Sequence, residues 1–235
     1  MEETNTTTQV PASQNYAIPF AIVIAGLAIA GAIYFGGNNA NPVAAAQPAG
    51  AIDPVTSADH IIGNPNAKLF VVEYSDTECP YCKTFHATMN RIMNEYGKDG
   101  NVAWVYRQFP IESLHPAKAQ NEAEATECAN KLGGNTKFWE YINKVFEITP
   151  SNNRLDQAEL PIIAKAIGLD VTEFNKCLEN DEMKTVVDAQ IASGAKAGVS
   201  GTPYSIILVN KKAVSGINGA QPYEVVKAQI EELLK

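Results

Sequence analysis

Cys79-Pro80-Tyr81-Cys82 stands where the hydrophobic period of the chain changes, and that junction constrains the fold more than any other feature. Before it, Lys68 to Tyr74 (KLFVVEY) is a short apolar, β-branched run bounded by Asn64-Pro65-Asn66 and Ser75-Asp76, the pattern of a buried strand. After it, Phe85, Met89, Ile92, Met93 and Tyr96 recur on a three-to-four spacing, which predicts a helix from Pro80 to Tyr96 closed by Gly97. Asn101 to Phe109 (NVAWVYRQF) then alternates Val102, Trp104 and Tyr106 against Ala103, Val105 and Arg107. The chain therefore returns as a second strand.

That position gives the two cysteines a chemistry. A Cys at the N-cap faces unpaired backbone N–H groups and the positive end of the helix dipole, which favour its thiolate. Cys79 is the expected nucleophile. Pro80 fills the first helical position, where a missing N–H costs nothing, and Cys82 lies one turn in, within reach of a disulfide back to Cys79. Cys82 is the expected resolving thiol. Two other readings stay open. The pair could be half of a zinc site completed by Cys128, Cys177 or a histidine, although structural zinc usually shows two close pairs. It could also be a plain structural disulfide, although a two-residue loop gives little chain-entropy stabilisation.

From His115 to about Gly198 the pattern is helical, with breaks at Gly133-Gly134, Pro150 to Asn153, Gly168 and Asn180. Thr136, Asp156, Asp170 and Asp181 stand where N-caps belong, and Asp170 with Glu173 has the capping-box spacing. Pro161 conflicts with a helix begun at Asp156, so a kink or a later start is expected. Ser205 to Val209 (SIILV) reads as a strand, Lys211 to Val214 as its partner after a turn at Asn210, and Pro222 to Leu234 as a terminal helix with Val225, Val226, Ile230 and Leu233 on one face. The order is β-α-β, a helical insertion, then β-β-α. It implies an α/β domain with a central sheet and helices on both faces.

Ahead of this domain, the 49 residues between Glu3 and Asp53 hold no charged side chain. Within them Ala17 to Phe35 is apolar, and 19 helical residues reach about 28 Å, close to the roughly 30 Å of a bilayer's hydrocarbon. The expectation is a short tail at 1–16, a transmembrane anchor at 17–36, a flexible linker at 37–52 and one folded domain at 53–235. A signal peptide cut near Ala44-Ala45-Ala46 is the rival, but Glu2 and Glu3 replace the positive start such a peptide needs. Neither flank of the apolar run carries a nearby Lys or Arg, so charge counting gives no orientation. The chain holds 18 basic and 26 acidic side chains, a net charge of −8, and no run of Lys or Arg. That excludes nucleic acid as a partner.

Cys128 and Cys177 both fall in helical segments at positions suited to packing. They are either two buried thiols or, outside the cytoplasm, a structural disulfide closing a loop of about 50 residues. The disulfide is the reading taken here. His60, His86 and His115 are expected to be hydrogen-bonded structural residues. His86 lies two turns after Cys79 on the same face, where a positive imidazole would favour the Cys79 thiolate. Phe138, Trp139, Tyr141, Ile142, Val145 and Phe146 read as helical core.

The strand-CxxC-helix start, the long helical insertion and Gly198-Val199-Ser200-Gly201-Thr202-Pro203 before a strand resemble the thioredoxin-fold disulfide oxidoreductases of the DsbA type. The resemblance runs from about Asp59 through the terminal helix, and it implies a thioredoxin-like fold with a helical insertion at about 115–198. It also implies that Pro203 is cis beside the active pair, with the backbone of Thr202 pairing with an extended substrate; an ordinary trans turn proline is the alternative. Glu73 matches the buried acid that exchanges protons with the second cysteine in such enzymes, against a strand-edge carboxylate facing water. The expected activity is donation of the Cys79-Cys82 disulfide to thiols of secreted or membrane proteins on the extracytoplasmic side, with a quinone-linked membrane partner to reoxidise the pair and no cofactor. Pro80-Tyr81 is also the glutaredoxin pattern, and Thr before the proline occurs in reductases and isomerases. A reductase, an isomerase or a non-catalytic binding protein of the same fold are the competing readings.

Overall fold

The computed structural model of the protein describes residues 51–235. The expected anchor at 17–36, the tail before it and all but the last two residues of the expected linker lie outside the described residues. Among the described residues no helix is long and apolar enough to cross a membrane.

Five strands form one sheet in the order β1-β3-β2-β4-β5, with β1 at His60–Gly63, β2 at Leu69–Ser75, β3 at Val102–Gln108, β4 at Tyr204–Val209 and β5 at Lys212–Asn218. Helix α1, Pro80–Tyr96, crosses between β2 and β3, which are therefore parallel; every other pairing is antiparallel. The central strand β2 is buried at all seven residues, Glu73 and Ser75 included, in keeping with its apolar, β-branched run. Alternation along the strands divides the core. Leu69, Val71, Trp104, Tyr106 and Ile207 face α1 and the terminal helix, while Phe70, Val72, Tyr74, Val105 and Ile206 face the other way, toward Ala197 and Val199.

The insertion contains α2 (Lys118–Ile148), α3 (Glu159–Ala166), α4 (Val171–Glu179) and α5 (Lys184–Lys196), and α6 (Tyr223–Leu234) closes the chain. Helix α2 is broken at Gly134, whose φ of 70° is a conformation that L side chains rarely adopt. Gly194 on α5 allows a close approach instead: a Cβ there would stand 2.6 Å from the Phe109 ring and 2.9 Å from the Tyr74 ring. The insertion has its own apolar cluster, in which Tyr141, Val145, Leu160, Phe174 and the Cys128–Cys177 disulfide pack together.

The helix starts differ from expectation in instructive ways. Asp170 caps α4, its carboxylate accepting from the Thr172 and Glu173 amides. Asp156 is not the cap of α3; the helix starts later, after Ala158, which puts Pro161 in its first turn where proline is tolerated. Asp181 does not cap α5 either: its φ is 49°, and its backbone carbonyl, rather than its side chain, receives the Lys184 amide. The expected strand at Lys211 to Val214 starts one residue later and continues to Asn218, because Asn210 and Lys211 both take positive φ and make a tight hairpin turn. Strand β1 had no sequence signal. Its four residues are too few for a period, and it is recognised only by its pairing with β3.

Candidate active site

The site is built at the carboxyl end of β2. Asp76 follows that strand and organises the turn with one carboxylate: Oδ1 accepts from the Glu78 amide at 2.9 Å, and Oδ2 accepts from the Ile111 amide and from His115 Nδ1, each at 2.8 Å. The Cys79 amide closes the turn onto the Asp76 carbonyl at 3.1 Å. Cys79 is then the N-cap of α1 with extended backbone and Pro80 inside the first turn, as the motif required.

The two sulfurs sit in unlike surroundings. Cys79 makes no capping hydrogen bond with its side chain, but its sulfur lies against the Cys82 thiol, the Cys82 and Tyr81 amides and the Thr202 side chain. The Cys82 hydrogen bond contributes most, and together they outweigh burial and hold the Cys79 thiol down at about 6. Cys82 is fully buried, and burial, reinforced by the nearby Cys79 and Glu73, pushes its thiol well above the ordinary range. The Asp76 amide donates to the Cys82 sulfur at 3.4 Å. Next to this pair the Thr202–Pro203 bond is cis, and the Cys79 thiol donates to the Thr202 carbonyl at 3.5 Å. Tyr81, between the cysteines, is 67% exposed.

Glu73 is fully buried rather than facing water. Its Oε2 accepts from the Trp104 indole at 2.9 Å, Oε1 has no hydrogen-bond partner among the described residues, and burial raises the carboxyl to about 7. The structure thus brings together Cys79, Cys82, Thr202, Pro203 and Glu73, residues from α1, the loop before β4, and β2. Cys128 and Cys177 are elsewhere, bonded to each other with Cα atoms 6.0 Å apart, so neither can complete a zinc site with the CxxC pair. His86 is corrected. Burial lowers it to about 4, its Nε2–H donates to Asn143 Oδ1 at 2.6 Å, and its ring packs on Phe146, so it is a neutral imidazole that gives Cys79 no positive charge.

A family model described as Thioredoxin matches residues 55–232, which is most of the chain. The chain belongs to the thioredoxin family. Among solved structures, Pseudomonas aeruginosa DsbA2 is 25% identical with a TM-score of 0.61, covering 77% of this chain and 97% of that one. Oxidised BdbD from Bacillus subtilis is 23% identical with a TM-score of 0.68, covering 80% and 98%. This thioredoxin-family domain, with its helical insertion, is similar to those two structures over most of its length. A further relative is the Na(+)/H(+) antiporter NhaA 1 of Mycolicibacterium gilvum, 34% identical over 125 residues, 53% of this chain and 18% of that protein. The chain thus matches about a fifth of the length of such relatives.

Several residues that shape this thioredoxin-family site escaped the sequence reading. Glu78, next to the nucleophile position, is buried and accepts from the Arg154 and Leu155 amides at 3.1 and 2.8 Å, tying the turn to the insertion. Glu122 on α2 accepts from Thr77 Oγ1 at 2.6 Å and from Gln157 Nε2 at 3.0 Å, and burial with the neighbouring Glu78 raises it to about 8. The Asp76-Thr77-Glu78 string was the available signal, since an Asp two residues before an amide it can bond is an Asx turn. Glu122 gave none; an acid on a helix normally reads as solvated.

Proposed function

We propose that the Cys79–Cys82 pair acts as a disulfide donor to thiols of secreted or membrane proteins, on the extracytoplasmic side of a membrane to which residues 17–36 anchor the chain. The observation that carries this reading is the contrast between the two sulfurs: Cys79 is acidic and at the helix start, Cys82 fully buried with its proton held tightly. A substrate thiolate attacks the Cys79 sulfur of the oxidised pair, the Cys79–Cys82 bond breaks, and Cys82 leaves with the electron pair. A second substrate thiolate then attacks the substrate sulfur of the mixed disulfide, forming the substrate disulfide and releasing Cys79 as its favoured thiolate. Thr202 and Pro203 supply the backbone against which an extended substrate lies, and Glu73 exchanges protons with Cys82.

The structural Cys128–Cys177 disulfide supports an oxidising compartment, where such bonds persist. A quinone-linked membrane protein is the proposed reoxidant. The reductase or isomerase reading draws on one observation, that a Cys79 thiol at about 6 is less acidic than that of the strongest oxidases. Disulfide formation in a reduced, unfolded substrate protein tests the assignment. Cys79→Ser loses this activity completely; activity retained by that variant refutes the proposal.

A further inference from the structure

The peptide unit between Glu78 and Cys79 is held at both of its polar atoms. Its carbonyl, on Glu78, accepts from the Asn152 amide at 2.7 Å, and its N–H, on Cys79, donates to the Asp76 carbonyl at 3.1 Å. On the other side, the Cys79 carbonyl accepts from the Lys83 amide at 3.1 Å as α1 begins. The Cys79 backbone, at φ −79° and ψ 120°, is thus fixed from both directions, while its side chain makes no capping hydrogen bond. With the backbone fixed, only a few staggered positions remain open to the sulfur.

One of these contacts comes from outside the sheet and α1. Asn152 lies in the loop after α2, in the middle of three successive non-glycine residues at positive φ, Ser151 at 60°, Asn152 at 57° and Asn153 at 61°. L residues rarely adopt that conformation in a run, so the surroundings must hold the loop in it. The Ser151 amide donates to Thr149 Oγ1 at 3.0 Å, and the Arg154 guanidinium reaches back to the Pro150 and Ser151 carbonyls at 2.8 and 3.1 Å. Lys83 on α1 donates to the Thr149 carbonyl at 2.7 Å. The turn so held aims the Asn152, Arg154 and Leu155 amides at Glu78. The first takes the carbonyl and the other two take one carboxylate oxygen each, at 3.1 and 2.8 Å. The Asn152 side chain is exposed and takes no part in these bonds.

We propose that Asn152 and Glu78 are positioning residues for thiol-disulfide exchange: the 151–155 loop of the insertion, through its grip on Glu78, holds the Cys79 sulfur in the orientation in which it is attacked. The inference rests on the redox reading of the CxxC pair and deepens it, giving the helical insertion a part in the reaction. A thiolate attacks a disulfide sulfur from the side opposite the leaving sulfur, so a turn of the Cys79 backbone that tilts the Cys79–Cys82 bond takes it out of line with the incoming thiolate. In the reduced protein the same turn draws the sulfur away from the Cys82 and Thr202 groups that favour its thiolate.

The test compares Asn152→Val with Asn152→Gly in the full chain. Valine disfavours positive φ and glycine adopts it freely, and at an exposed position the comparison probes the backbone rather than packing. Two quantities are read: the rate at which reduced glutathione attacks the oxidised pair, and the pH midpoint of Cys79 alkylation in the reduced chain. Asn152→Val is expected to slow the attack by roughly tenfold, the loss from a small misalignment, and to raise the midpoint. Asn152→Gly is expected to restore both. Glu78→Ala, which removes the two carboxylate contacts and keeps the Asn152 bond to the carbonyl, is expected to move both quantities in the same direction by less. An Asn152→Val protein whose rate and midpoint equal those of the unmodified chain, whatever its thermal stability, overturns the proposal. Equal changes in the Val and Gly variants also overturn it, since they would trace to the lost side chain. Should Asn152→Val fail to fold, Glu78→Ala decides, and an unmoved rate and midpoint there overturn the proposal. An unmodified chain whose Cys79 is alkylated with the ordinary midpoint of 9.0 sinks the redox reading itself, a result distinct from any of these.

Discussion

The Cys79 thiol donates to the Thr202 carbonyl at 3.5 Å, a contact that joins the start of α1 to the cis-proline loop 123 residues later. It places the sulfur among groups that favour its thiolate, the Cys82 hydrogen bond first and the Thr202 side chain after it. Cys79 alkylation should therefore show a midpoint near pH 6. Cys82→Ala should raise that midpoint most, and Thr202→Val should raise it less. The same shift makes the stability of the reduced protein pH-dependent. The folded value lies below the ordinary 9.0, so this contribution is complete above pH 9.0 and is lost as pH falls through about 6. Reduced protein should thus lose stability relative to oxidised protein over that range in thermal unfolding.

Cys128 and Cys177 close a loop of 49 residues inside the insertion's apolar cluster. Replacing both by Ala should lower unfolding free energy by about 4 kcal/mol in denaturant titration, the chain-entropy value for a loop of that length. The Cys79 alkylation midpoint should not move, because the bond is remote from the site in the fold.

Glu122 is held up at about 8 by burial first and then by Glu78. Its folded value is above the ordinary 4.5, so its contribution to stability is complete below that pH and is lost as pH rises through about 8. Glu122→Gln keeps a hydrogen-bonding amide without the charge. The variant should unfold at a higher temperature than the unmodified chain at pH 8, with the difference vanishing near pH 5. A variant whose unfolding temperature follows the unmodified chain at both pH values contradicts the buried carboxyl pair.

The parts of the molecule legible in the sequence were those with a local period or a local motif. Strand β2, helix α1 and strand β3 fell close to their expected bounds because a short β-branched, mostly apolar run and a three-to-four spacing each admit few structures. Cys79 and Cys82 were legible because a CxxC at a strand-to-helix junction has a direct electrostatic reading. What escaped depends on contacts distant in sequence. Glu122 reaches Thr77 across 45 residues, and His60 is held by Glu127 across 67 and stacked on Phe138. That the His86 ring is neutral escaped for the same reason: its face of α1 was evident, but its burial against Asn143 and Phe146 comes from another helix.

The reduction potential of Cys79–Cys82, measured in the full chain by equilibration with glutathione, tests the central claim most directly. A thiolate stabilised to about 6 is more acidic than the roughly 7 of thioredoxin, and a stabilised thiolate makes the disulfide the stronger oxidant. The predicted result lies between about −120 mV, as for the strongest oxidases, and about −200 mV. A value at or below about −270 mV, that of thioredoxin, would contradict the donor assignment and make the protein a reductase.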